Sequence, residues 1–294
     1  MSDLPAISEH LAAWYRGAAR PLPWRAPGVS PWGVLVSEVM LQQTPVARVA
    51  PAWSTWLERW PEPAALAAEA PGEAVRAWGR LGYPRRALRL HAAAATCVTS
   101  YEGRVPDTYD GLRALPGVGD YTAAAVLAFA YGQRAVVLDT NVRRVHARLL
   151  GGDAFEPPGA PTRAERDRAE ALLPAEPVAA AEVSVAVMEL GAVICAARSP
   201  ACAACPVAGD CAWLAAGQPA WHGPPRRGQS YAGTDRQARG ALLAVLREAH
   251  GSVPRAALAA AWSADPGQRE RALDSLVADG LVEPLARGRY RLPR

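Results

Sequence analysis

Leu115-Pro116-Gly117-Val118-Gly119, followed by Asp120 and Tyr121, is the segment on which the reading of the fold turns. It sits between stretches with helical apolar spacing and opens directly into one of them. Two glycines one residue apart let the backbone turn tightly and leave consecutive N–H groups exposed at a helix start. Such groups can hold a phosphate oxygen without any side chain. A Pro-Gly turn before a helix is common, so this pattern gains weight only from its neighbours.

Twenty residues beyond Gly119 comes Val137-Leu138-Asp139-Thr140-Asn141-Val142-Arg143-Arg144-Val145. The apolar run delivers Asp139 to a helix start, where Asp is also an ordinary N-cap. Further on, Cys195, Cys202, Cys205 and Cys211 fall within 17 residues, while Cys97 stands apart in an Ala/Thr/Val-rich stretch and reads as a small buried residue. A reducing compartment argues against disulfides. Zinc ligands usually come as two close pairs split by a longer loop, whereas one compact run with unequal gaps better suits a cubane [4Fe–4S] cluster.

The rest of the chain is read as mainly helical. Residues 34–41, 64–78, 86–99, 122–130, 142–150, 162–172 and 183–196 carry apolar side chains at three- and four-residue spacing between Pro/Gly breaks. A Gly/Pro/Gln/Arg-rich linker is expected at 218–238. Beyond it, 239–294 reads as three short helices and a hairpin turning at Arg287-Gly288, a winged-helix-like domain. With 50% hydrophobic residues in 294, the chain can build a sizeable core. No apolar run is long enough for a transmembrane helix and no secretory signal opens the chain, so a cytoplasmic, nucleoid-associated protein without a membrane partner is expected.

Charge is distributed unevenly. All 32 basic residues are Arg; there is no Lys. A codon bias explains that economically, but its chemical consequence stands: no side-chain amine is available for a Schiff base. From Gln218 onward there are 12 Arg against 7 acids, which fits either a solvated face or a contact with a nucleic-acid backbone.

A glycine hairpin, an Asp at this distance and four cysteines at this spacing together resemble the helix–hairpin–helix, iron–sulfur DNA glycosylases, the group that includes endonuclease III and the MutY-type adenine glycosylases. Leu22-Pro-Trp-Arg25 and Pro31-Trp32-Gly-Val-Leu-Val-Ser-Glu38-Val-Met-Leu-Gln42-Gln43-Thr44 resemble the MutY signature, and Trp78-Gly-Arg-Leu-Gly-Tyr83 resembles its wedge segment. The resemblance spans about three-quarters of the chain and implies a two-lobed helical glycosylase. Residues 1–33 and 135–217 would form the iron–sulfur domain and 34–134 a six-helix domain with the hairpin. Such a protein would act as a monomer on double-stranded DNA containing a mispaired adenine.

Releasing adenine from deoxyribose produces an anionic base and an oxocarbenium-like sugar, so one group must protonate the base and another must oppose positive charge. The resemblance assigns the first role to Glu38 and the second to Asp139, with Asn141 orienting that carboxylate and Tyr121 lining the sugar pocket. Desolvation in an apolar helix is expected to raise the Glu38 pKa. Arg25, Gln43 and Tyr83 would serve base recognition and fill the gap left by the extruded base, and Gly117, Val118 and Gly119 would hold the backbone. Arg85, Arg86, Arg89, Arg143 and Arg144 are candidate phosphate contacts. In lyase relatives a lysine stands where this chain has Tyr121, so strand cleavage is not expected. Two departures stand out: Ser184 and Val185 replace a polar pair, and the usual Nudix-like C-terminal domain is missing. A thymine/uracil mismatch glycosylase and a non-catalytic iron–sulfur DNA-binding protein are the alternatives.

Overall fold

A computed structural model describes residues 3–224 and 231–294. Their contacts divide the chain into two compact units, one made of Met1–Val34, Asp107–Arg113 and Val118–Pro225, the other of Leu35–Pro106, Ala114–Gly117 and Arg226–Arg294.

In the first unit, α1 (Leu4–Ala18) starts where Asp3 accepts the Ala6 amide. Helix α8 (Asp120–Tyr131) ends at Gly132, whose left-handed backbone turns the chain. Helix α9 (Thr140–His146) runs on into a wide turn, Ala147–Gly151. Helix α10 (Arg163–Leu172) is closed by a reciprocal Thr162–Glu165 capping box, and α11 (Pro177–Val193) by the Glu176 carboxylate; the short α12 (Ala212–Ala215) follows Cys211. The core is built from one face of each: Ile7 and Leu11, Val142 and Val145, Leu172, then Val183, Val187 and Leu190. A smaller cluster joins Ala124, Ala125 and Ala128 of α8 to Val137 and Ala181. That cluster explains why α8 groups with the cysteine-bearing unit, whereas the expected boundary at 134 placed it with the other.

The second unit holds α3 (Val46–Arg59), α4 (Pro63–Ala67), α5 (Pro71–Trp78) and α6 (Arg85–Ser100). Helix α2 (Pro31–Leu41) crosses the division, and so does the short α7 (Tyr109–Ala114). The expected single helix 64–78 is broken in two because Pro71 cannot continue α4 and instead starts α5. Trp56 packs edge-on against Trp60 at 4.6 Å and Trp78 at 5.7 Å, and all three are fully buried.

The tail has the expected order: α13 (Asp235–Glu248), β1 (Val253–Pro254), α14 (Arg255–Ala261), α15 (Pro266–Ala278), β2 (Glu283–Leu285) and β3 (Arg289–Arg291). Its antiparallel sheet has the order β1-β3-β2, with Pro284 opposite Tyr290. Arg287 takes a left-handed conformation at the hairpin turn. The tail is not detached, for it belongs to the second unit. The linker is shorter than expected, since α13 already begins at Asp235; its residues 225–230 lie outside the described residues. Among the described residues no single helix is long and apolar enough to cross a membrane; α10 and α11 pass that test only as a pair bent by 118°.

Candidate active site

Asp139 is the N-cap that its position allows. Its Oδ1 accepts the Val142 amide at 2.6 Å, so it caps α9. Its Oδ2 accepts from Asn141 Nδ2 at 3.2 Å. Asn141 Oδ1 in turn accepts from Arg144 Nη2 at 2.8 Å, and Arg144 also donates to the carbonyls of Gly191 (2.6 Å) and Cys195 (2.9 Å). Helix α11 comes this close only because residue 191 has no side chain: a Cβ there would lie 2.9 Å from Asn141 Cβ. Burial pushes the Asp139 carboxyl above its ordinary pKa, against the amide bonds from Val142 and Asn141 and the charge of Arg144. Tyr121, on the first turn of α8, packs on the alanine cluster that includes Val137, two residues before Asp139.

Glu38 belongs to the second unit. It is buried in α2 beside Val34, Leu35, Val36, Val39 and Met40 and next to the buried Ser37. The end of α2 is held by Arg86, whose Nη1 donates to the carbonyls of Val39 (2.8 Å), Met40 (3.1 Å) and Gln42 (2.6 Å). Its Nη2 donates to Thr44 Oγ1 and Gly82 O, both at 3.0 Å. One guanidinium therefore ties the segment carrying Glu38 and Gln43 to the loop carrying Tyr83. Gln43 and Tyr83 are both exposed and both left-handed, with φ of 57° and 47°. Non-glycine residues rarely adopt that conformation, and where they do the strain often serves a site.

In the hairpin, Gly117 has φ +84°, and a Cβ there would lie 2.8 Å from Arg89 Cβ. Gly119 caps α8 with extended backbone. Arg113 fixes the turn by donating to Val118 O at 2.6 Å and pairing with Asp120 at 2.8 Å.

The four cysteines follow α11 in a run of tight turns in which Cys205 N donates to Cys202 O and Cys211 N to Ala208 O. Cys195, Cys205 and Cys211 pack against the core of the first unit. Arg148 donates to Cys195 Sγ at 3.3 Å while lying 4.7 Å from the Trp213 ring and 5.3 Å from Phe155. Burial, with smaller contributions from Cys195, Cys211 and Cys202, pushes the Cys205 thiol up to about 11. The four thiols thus interact with one another, yet among the described residues no three His, Cys, Asp or Glu side chains are placed to hold a single metal ion.

A family model for HhH-GPD superfamily base excision DNA repair proteins matches residues 36–170. The adenine DNA glycosylase of Mycobacterium tuberculosis is 55% identical over 97% of this chain and 92% of its own length. The chain belongs to the adenine DNA glycosylase family. The likeness is long enough to take in the tail. A thymine/uracil-DNA glycosylase of Pyrobaculum aerophilum is 34% identical over 71% of this chain and 91% of its own. Among solved structures, a thermostable thymine-DNA glycosylase matches with a TM-score of 0.65 at 26% identity, covering 72% of this chain and 97% of that one.

In this member of the family several arginines are not where the sequence suggested. Arg143 is buried, bonded to both oxygens of Glu165 (2.7 and 3.1 Å) and to the carbonyls of Gly159 and Pro157. Arg144 and Arg86 are likewise buried and engaged internally, so these three are structural arginines rather than phosphate contacts. Arg85 pairs with Asp279 of the tail. Arg25 lies 5.6 Å from the Tyr15 ring and donates to Glu189 Oε2 at 3.0 Å. Glu189 also takes Arg20 Nε at 2.6 Å. Burial raises the Glu189 carboxyl, but the bond from Arg20 and the charge of Arg25 outweigh it and hold the group below its ordinary pKa. The internal bonding of Glu189 and Arg86 is what sequence reasoning missed. The signal for Glu189 was present: an acid in the middle of the apolar stretch Val183–Gly191 needs a buried partner.

Proposed function

We propose that this protein is a monofunctional DNA glycosylase of base excision repair, hydrolysing the N-glycosidic bond of adenine mispaired with 8-oxoguanine or guanine. The observation that carries this reading is the 55% identity to an adenine DNA glycosylase over nearly the whole of both chains. The buried carboxylates fit the chemistry. Glu38 gives its proton to N7 of the extruded adenine as the C1′–N9 bond breaks. Asp139, fixed by Val142 and Asn141, opposes the positive charge that develops on the sugar, as carboxylate pairs share the work in glycosidases. A water oxygen then bonds to C1′ and its proton passes to the Glu38 carboxylate, which leaves an abasic site and an intact strand. Tyr121 stands where lyase relatives keep lysine, and the chain has no lysine to replace it.

Base extrusion leaves a gap that Gln43 and Tyr83 fill, with the hairpin backbone at Gly117–Gly119 against phosphate. Cys195, Cys202, Cys205 and Cys211 hold a [4Fe–4S] cluster. The donor set fits, since four cysteines in one compact run with unequal gaps, three of them packed against the core of the first unit, suit such a cluster better than zinc. The cluster supplies cross-linking of the loop, and no step of the hydrolysis passes through it. The protein works as a monomer in the cytoplasm, at the nucleoid.

The likeness to thymine/uracil-DNA glycosylases favours a second reading, excision of mismatched thymine or uracil. Single-turnover incubation with duplexes carrying A:8-oxoguanine, A:G, T:G and U:G, followed by alkali, distinguishes the two. Product from the adenine duplexes alone is expected, and none before alkali. Release of thymine or uracil instead would replace the main reading, and strand cleavage without alkali would remove its monofunctional part.

A further inference from the structure

We propose that the tail supplies a specificity-determining residue, Arg236, which positions the Tyr83 side chain to discriminate the base opposite the excised adenine in favour of an oxygen-bearing purine. The proposal rests on the adenine-glycosylase reading above.

The loop 79–84 that carries Tyr83 lies between α5 and α6, and the tail is fastened to both of those helices. At α5, the Gly72 amide donates to Pro293 O at 2.9 Å, Arg247 Nε donates to Val75 O at 3.0 Å and Arg76 Nη1 donates to Ala249 O at 2.9 Å. The fit at Gly72 is so close that a Cβ there would meet Pro293 O at 2.4 Å. At the first residue of α6, Arg85 pairs with Asp279 at 3.2 Å, and Asp279 also holds Arg239 of α13. These anchors on either side of the loop bring the first turn of α13 over it. There Arg236 donates to Tyr83 Oη at 3.2 Å, with its guanidinium 5.2 Å from the ring centroid. Arg86 approaches the same ring at 5.5 Å from within the core. Tyr83 is therefore gripped by one buried and one exposed guanidinium while 41% of it stays open.

The chemistry follows from the hydroxyl. A phenol that accepts from Arg236 has its own proton left to donate. An exposed donor on a wedge residue, with a guanidinium next to it, suits the carbonyl oxygens of guanine or 8-oxoguanine. Cytosine presents an amino group at its corresponding edge and gains nothing from it. The tail is thus a route to opposite-base discrimination.

The test uses the full-length protein in single-turnover release of adenine placed opposite 8-oxoguanine, guanine or cytosine. Arg236→Ala is expected to lower the 8-oxoguanine-to-cytosine and guanine-to-cytosine rate ratios about five- to tenfold, the scale of one lost hydrogen bond of ordinary strength. Arg236→Lys, which can still donate to the hydroxyl, recovers part of the ratio. Gly72→Val, which displaces the chain terminus without touching Tyr83, lowers the same ratios. Arg236→Ala added to Tyr83→Phe causes no further drop. Unchanged ratios in Arg236→Ala, or an equal loss on all three duplexes, would overturn the proposal while leaving the adenine reading intact. A parent protein that releases adenine from none of them would overturn both.

Discussion

Replacing Arg86 should damage stability and chemistry together, and the two losses can be separated. The last carbonyls of a helix have no partner within it, and the helix dipole makes that end negative. Arg86 satisfies two such carbonyls of α2, at Val39 and Met40, then reaches Gln42, Thr44 and Gly82. Burial pulls its pKa down to about 10, so the group stays charged at neutral pH. In Arg86→Leu five acceptors lose a charged donor at once. A hydrogen bond to a charged group is worth about 1.5–3 kcal/mol, but bonds sharing one side chain are far from additive, so a total of about 3–4 kcal/mol is the reasonable scale. At roughly 2–4 °C per kcal/mol for a chain of this size, the melting temperature should fall by about 6–16 °C. Arg86→Lys keeps the charge, but its compact ammonium cannot span from the end of α2 to Gly82. It should regain part of the melting temperature, while adenine release stays about 100-fold down, because a misplacement near 1 Å costs that much in a preorganised site. Differential scanning fluorimetry and single-turnover release measure the two quantities. If Arg86→Leu melts within about 2 °C of the parent, or Arg86→Lys releases adenine at the parental rate, Arg86 is not the link between the Glu38 and Tyr83 segments.

Two further expectations concern carboxylates whose environments act in opposite directions. Burial raises the folded pKa of Asp139, so the native state binds its proton more tightly than the unfolded chain, and stability from this group is gained as pH falls from the raised value towards 3.8. At neutral pH the ionised form is a cost, so Asp139→Asn, which keeps an oxygen to cap α9, should melt no lower than the parent while adenine release drops roughly 100- to 1000-fold; a lower melting point or retained release would contradict this. Glu189 is the reverse case: its folded pKa is depressed, so its stabilisation is present above the unfolded value of 4.5 and lost as pH falls through the folded one. Glu189→Gln should cost about 2–3 kcal/mol at pH 7, since Arg20 and Arg25 lose their buried counter-charge, and much less below pH 4. Urea midpoints at the two pH values measure this, and an equal gap at both would count against the ion-pair account.

Legibility in the sequence followed how local each signal was. Helix starts with a capping side chain, as at Asp139 and Thr162, could be placed within a few residues because the cap and its amide lie three positions apart, whereas α11 begins at Pro177, ahead of the start expected at 183. The tail was readable for the same reason, its hairpin turn and helix spacings being local. Helix α3 escaped detection because Pro51 lies within it, and the break before Pro71 was missed because the apolar spacing continues across it. The larger failure concerned the arginines, and composition explains it. In most proteins the Lys/Arg choice carries information, since Arg is preferred where a planar fork must reach several buried acceptors and Lys where a solvated charge suffices. With all 32 basic residues Arg, that distinction is gone, and Arg86, Arg143 and Arg144 look in sequence like Arg163 or Arg287. Only tertiary packing separates them: the first three each meet carbonyls supplied by turns and helix ends, some as many as 51 residues away. The same blindness hid Arg236, which the sequence placed in the linker 218–238 and not over Tyr83, 153 residues earlier. In a chain without lysine, an arginine is assigned to the surface or to the core by what it touches, and here three candidate phosphate contacts belong to the core while Arg236 stands over Tyr83.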